Sequence, residues 1–137
     1  MKLDWNEFDA LSIYLSNEIK KCGKKYSGVA GMPRGGLPLA VTLSHRLGLP
    51  YFDIQSASKD CLIVDDINDS GATMGHMMAQ GYDTAVLLTR HSSPLKTTFS
   101  GGIVMDDNWV EFPWEKSLED SIVEYKKHLY GAAYAVH

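Results

Sequence analysis

Cysteine is scarce in this chain: among 137 residues there are two, Cys22 and Cys61. Two thiols cannot build the disulfide framework of a small secreted domain. They suit a reducing compartment, so a cytoplasmic setting is expected. Long apolar runs are missing as well, and none approaches the roughly 20 residues that a membrane-spanning helix needs. The opening stretch MKLDWNEFDALS is acidic and amphipathic, unlike the basic-then-apolar order of a signal peptide. Positive charge is not in surplus, since 13 Lys and Arg stand against 17 Asp and Glu, a formal charge of −4. A duplex-binding protein normally carries a basic face, so neither nucleic acid nor membrane is expected as a partner. A phosphate ligand is not excluded, because the backbone amides at a helix N-terminus bind phosphate without net positive charge. With Gly 12 and Pro 5 the composition is neither collagen-like nor low-complexity. The familiar phosphate motifs G-x-x-x-x-G-K-[ST] and G-x-G-x-x-G are both lacking. The five histidines show no metal-ligand spacing and are read as non-catalytic, His76 being the closest to a candidate site.

What remains is an ordinary globular composition, 45% hydrophobic and 22% charged, in a chain long enough for one domain over residues 1–137. A domain of this size buries roughly 68–70% of the surface its unfolded chain exposes and needs no staple. Asp4 and Glu7 have capping-box spacing, and Phe8, Leu11, Leu15, Ile19 and Cys22 recur at helical period, which predicts a helix over about 5–22 ended by Gly23. A short strand is expected over 26–30. A helix follows over 36–47, with Leu37, Val41, Ser44 and Leu47 on one face and Gly48 as its stop. Residues 51–54 form a short strand candidate. The run Cys61, Leu62, Ile63, Val64 is continuous in apolar character, as befits a strand buried on both faces. A helix over about 72–80, a buried strand over 84–89, a weaker strand over 102–105 and a last helix from Ser117 complete the pattern. Leu118, Ile122, Tyr125 and Leu129 would share a face of that last helix. Strands alternate with helices, so the fold class is α/β, a mostly parallel twisted sheet flanked by helices. Ligands in such sheets bind at the carboxyl ends of the strands, where residues 32–36 and 65–73 would lie.

The segment CLIVDDINDSGAT, residues 61–73, carries the most chemistry. Asp65, Asp66 and Asp69 follow an apolar strand, and Ser70, Gly71, Ala72 and Thr73 open a helix. A helix N-terminus presents unpaired N–H groups and about half a positive charge. Gly71 lacks a Cβ and lets backbone approach an anion, while the hydroxyls of Ser70 and Thr73 add hydrogen bonds, together a phosphate cradle. The acids suit hydroxyl groups, a magnesium ion or a proton in transit. A ligand offering a phosphate, vicinal hydroxyls and a metal-bound group is a ribose 5-phosphate derivative. The plainer alternative is that Asp69 or Ser70 merely caps the helix. A phosphatase of the aspartyl-phosphate type would want D-x-D directly after the strand, whereas the order here is D-D-x-x-D.

The pattern of apolar residues followed by D-D-x-x-D-[ST]-G-x-T resembles the phosphoribosyl diphosphate signature of type I phosphoribosyltransferases. Residues 29–36, VAGMPRGG, look like the pyrophosphate loop of that family, which holds a cis peptide at the position of the Pro33–Arg34 bond. Residues 106–115, DDNWVEFPWE, are similar to the W-[IV]-x-x-P-W-[DE] hood of the xanthine-guanine branch, and Leu3-Asp-Trp opening the first helix matches that branch as well. The resemblance implies transfer of a phosphoribosyl group from phosphoribosyl diphosphate to a 6-oxopurine base (guanine, xanthine or hypoxanthine), with Mg2+ as cofactor. It implies Asp69 as the catalytic residue nearest the base. Asp65, Asp66, Ser70, Gly71, Ala72 and Thr73 would hold the phosphoribosyl group, and Asp66 would also hold the metal. Pro33, Arg34, Gly35 and Gly36 would face the pyrophosphate. Arg90, at a position where the branch has a lysine reading the 6-oxo group, would hold the base together with Trp109 and the backbone of Val110. A homodimer or larger homo-oligomer and a role in purine salvage are expected on the same ground. Family members carry a long lid between their second and third core strands, and the interval 52–60 here is far shorter. A second reading therefore stands beside the first: a binding module that senses phosphoribosyl diphosphate or a nucleotide without catalysis.

Overall fold

The structure is a computed structural model and describes residues 1–115 together with 119, 120, 122, 123, 126 and 127. Helix α1, Trp5–Lys21, starts on a complete capping box: Glu7 N–H donates to Asp4 Oδ1 at 2.7 Å and Asp4 N–H to Glu7 Oε1 at 3.2 Å. Strand β1, Gly28–Gly31, leads into helix α2, Leu37–Leu47, whose C-cap Gly48 takes φ +65°. Strand β2 is only Tyr51–Phe52, followed by a 3-10 turn at Ile54–Ser56. Then come strand β3, Cys61–Asn68, helix α3, Ala72–Ala79, strand β4, Asp83–Arg90, and strand β5, Phe99–Val104. The helix expected from Ser117 lies largely outside the described residues.

The five strands form one sheet in the order β2-β1-β3-β4-β5, with every pairing parallel. Period-two alternation assigns each strand's side chains to one face or the other. Val29, Leu62, Val64, Ala85 and Leu87 pack with Leu15, Ile19, Leu39 and Leu43, so α1 and α2 cover one face. Ala30, Ile63 and Val86 pack with Met74 and Met77, so α3 covers the other. Both faces are buried, which is why the central strands read as unbroken apolar runs.

Three expectations need correction. The buried stripe of α2 is Leu39, Ala40 and Leu43, while Val41 is exposed. The approach of Ala40 to Gly31 of β1 turns that helix away from the face that periodicity alone favours. The acid-bearing strand does not stop at Val64. It continues to Asn68, because β4 still pairs with it there, Asp65 opposite Val86 and Asn68 opposite Thr89. The last strand begins at Phe99, earlier than expected, because β4 supplies a partner from Ala85 onward.

Candidate active site

The carboxyl edge of the sheet brings the two marked segments together. Strand β1 ends at Gly31, opposite Val64, while β3 runs four residues further beside β4 alone. Residues 32–36 fold into the space that β1 leaves. Met32 N–H donates to Val64 O at 2.8 Å, and Gly36 N–H to Met32 O at 2.8 Å. The fit excludes side chains at both glycines. A Cβ on Gly36 would lie 2.5 Å from Val64 O, and one on Gly35 would collide with the Asp66 carboxylate. The loop after β1 and the acids of β3 are thus in direct contact. Pro33 and Arg34 are exposed, and the peptide between them is cis.

Asp65 and Asp66 occupy the strand itself and are half-buried. Asp65 Oδ1 accepts from Asp66 N–H at 2.8 Å, and Asp66 Oδ1 accepts from Ile67 N–H at 2.7 Å. Burial, and then the neighbouring Asp66 charge, push the Asp65 carboxyl up to about 7. At neutral pH Asp65 therefore carries less than a full negative charge. Beyond the strand, Ser70 Oγ accepts from Ala72 N–H at 3.2 Å, and Ala72 and Thr73 stay exposed at the start of α3. Gly71 takes φ +88°, and a Cβ there would meet Leu95 Cβ at 2.8 Å. Glycine is therefore required there by backbone conformation and by the loop after β4.

Arg90 ends β4 and is buried, its side chain 6% exposed. Its Nη1 donates to Asp106 O and to Asn108 O, each at 2.8 Å, and its Nε donates to Asp69 Oδ1 at 3.1 Å. The expected base-binding arginine thus spends three bonds inside the protein, joining the third acid to the 106–110 segment. That segment is held from a second side by the chain's first residues, with Leu3 N–H donating to Glu111 O at 2.8 Å and Glu111 N–H to Met1 O at 2.9 Å. Between these anchors Trp109 is 76% exposed, whereas Val110 is buried. Trp114 belongs to the core: it stacks on Phe112 with ring centroids 5.0 Å apart and meets Phe8 edge-on at 5.4 Å. The open aromatic ring is therefore that of Trp109 and not Trp114, and it follows directly on Asn108, whose carbonyl Arg90 holds.

Two features were not legible locally. Asn68 is buried at the end of β3, donates from Nδ2 to Leu95 O at 2.8 Å and accepts from Ser93 Oγ at 3.3 Å, so it fastens the loop after β4 beside the helix start. The pairing of residues 1–3 with 109–111 joins segments more than 100 residues apart in sequence. No short-range signal could mark either. The interval 53–60 is tied down: Tyr82 O–H donates to Ala57 O at 2.8 Å, and Ile54 and Ala57 pack on the core of the α3 face.

No family model matches the chain. Over 77 residues, 53% of this chain and 43% of the relative, it is 36% identical to a xanthine-guanine phosphoribosyltransferase of Roseobacter denitrificans, so the match spans less than half of that protein's length. Among solved structures, a purine phosphoribosyltransferase from Pyrococcus horikoshii superimposes with a TM-score of 0.69 at 26% identity, covering 85% of this chain and 94% of that one. The xanthine-guanine-hypoxanthine phosphoribosyltransferase of Helicobacter pylori gives 0.71 at 21% identity, covering 88% and 97%, a likeness of fold alone. The chain has the type I phosphoribosyltransferase fold, and its sequence is similar to that of the xanthine-guanine branch.

Proposed function

We propose that this protein transfers a phosphoribosyl group from phosphoribosyl diphosphate to a 6-oxopurine, releasing pyrophosphate, as a cytoplasmic homodimer serving purine salvage. The observation that carries the reading is the meeting, at one sheet edge, of a glycine loop, an acidic strand end, an open helix N-terminus and an exposed tryptophan. Backbone amides at residues 70–73, with the hydroxyls of Ser70 and Thr73, hold the 5-phosphate. Asp65 and Asp66 take the ribose hydroxyls, and Arg34, Gly35 and Gly36 face the pyrophosphate. The base stacks on Trp109, whose face suits a purine. The Val110 backbone and Arg90 meet its edge. Asp69 accepts the proton of the attacking ring nitrogen while the bond to pyrophosphate breaks, through a transition state resembling an oxocarbenium ion.

Among the described residues no cluster of three or more His, Cys, Asp or Glu is arranged to hold a metal ion. The oxygen donors present, Asp66 with Asp65 beside it, fit Mg2+ in another manner, since that ion takes one or two carboxylates, keeps several waters and completes its shell with substrate phosphates. Bound there, it supplies charge compensation for the departing pyrophosphate.

The pinned 53–60 interval favours a second reading, a sensor that binds phosphoribosyl diphosphate or a nucleotide without turnover, because a lid that excludes water has no chain from which to form there. The two readings separate on incubation with phosphoribosyl diphosphate, Mg2+ and each of guanine, xanthine and hypoxanthine. Nucleotide and pyrophosphate in equal amounts support transfer. Tight sugar-phosphate binding with no product from any base supports the sensor, and binding of neither ligand overturns both.

A further inference from the structure

We propose that Arg90 is a positioning residue that couples Asp69 to the segment over the base, so that one side chain sets both the seat of the base and the aim of the acid. This rests on the transfer reading above for the roles of Asp69 and Trp109. The coupling itself rests on geometry alone. One guanidinium spans three acceptors from two parts of the chain: Asp69 Oδ1 after β3, and the carbonyls of Asp106 and Asn108 on either side of Asp107. Those two carbonyls belong to the turn that presents Trp109, and Asn108 N–H donates to Asp106 Oδ1 at 3.0 Å, closing the same turn.

The arginine is almost wholly buried, and a buried charge has to be met by hydrogen-bonding partners such as these. Asp69 is 60% exposed and Trp109 76% exposed. Neither is held by packing, and the buried guanidinium is the rigid element between them. Among the described residues Nη2 has no acceptor, which leaves its two N–H groups for an oxygen on the edge of a bound base. A lysine offers one nitrogen and cannot span Asp69, both carbonyls and a ligand at once. Arginine here thus does two things that a lysine would have to choose between: it builds the turn and it reads the ligand.

The test uses the full chain and two measurements. Hydrogen exchange of backbone amides 106–112 should quicken about tenfold or more in Arg90→Lys, while exchange in α1 and residues 61–64 of β3 stays as in the parent. Steady-state kinetics with the base that turns over should show kcat falling and KM for the base rising together, each about tenfold. In the Asp69→Ala background the same Arg90→Lys change should no longer lower kcat, because its effect on chemistry passes through that carboxylate. Unchanged exchange over 106–112 would overturn the proposal. So would an undiminished kcat penalty in the Asp69→Ala background. If the parent protein forms no nucleotide with any base, the transfer reading fails by itself, and the exchange measurement still decides whether Arg90 holds the turn.

Discussion

Residues 61–64 of β3 have a strand on either side, β1 and β4, and all four are buried; residues 65–68 keep β4 but have run past the end of β1. The same strand therefore lives under two sets of rules. Where both neighbours are present, helices cover both faces and only apolar side chains fit. Where one neighbour is missing, there is space on the open side, and that space holds a glycine loop against the Asp66 carboxylate. The contrast explains why ligands gather at carboxyl edges of such sheets: the scaffold that positions the chemistry is continuous with it, yet the packing requirement lapses within one residue, between Val64 and Asp65.

If this division is real, mutations on its two sides should separate activity from stability. The largest effect is expected just beyond the acidic end. Asp69→Asn should lower nucleotide formation roughly 100- to 10,000-fold with phosphoribosyl diphosphate affinity by calorimetry nearly unchanged; undiminished turnover would remove Asp69 from the mechanism. On the apolar side, Leu62 is fully buried. Leu62→Ala should cost about 2–5 kcal/mol in urea unfolding, and a loss below that range would mean the site collapses around the missing atoms.

The smallest effect sharpens the boundary itself. The Asp65 carboxyl is pushed up to about 7 in the folded chain, against about 3.9 in an unfolded one. The folded state thus binds more protons between those values, so this group's contribution to stability is fully present below about pH 4 and is lost as pH rises through 7. In metal-free buffer the Tm of the parent should carry that downward slope, and Asp65→Asn should flatten it, raising Tm at pH 8 while leaving it nearly unchanged at pH 4. An identical slope in both proteins would assign the pH dependence to other groups.

Much of the scaffold was legible along the chain because its causes are local. The capping box at Asp4 and Glu7, the left-handed stop at Gly48 and the apolar run at 61–64 each arise from a few adjacent residues, and the structure has all three. The stripe of α2 was misread because several faces of a short apolar helix look alike, and the close approach of Gly31 to Ala40 chose among them. The reach of β3 was misread because clustered acids look like a loop. A single neighbouring strand suffices to keep Asp65 and Asp66 extended, and that neighbour, β4, is distant in sequence.

The order of elements and the parallel α/β class were set by residue type and spacing alone, and the same spacing marked the two segments proposed to bear the chemistry. Only the tertiary structure decided that Gly35 lies against Asp66, that Gly71 is demanded by Leu95, and that Arg90 joins Asp69 to the turn carrying Trp109. Those contacts depend on which strand ends first and which loop fills the gap, and a side chain's partners across such a gap leave no periodicity in the chain.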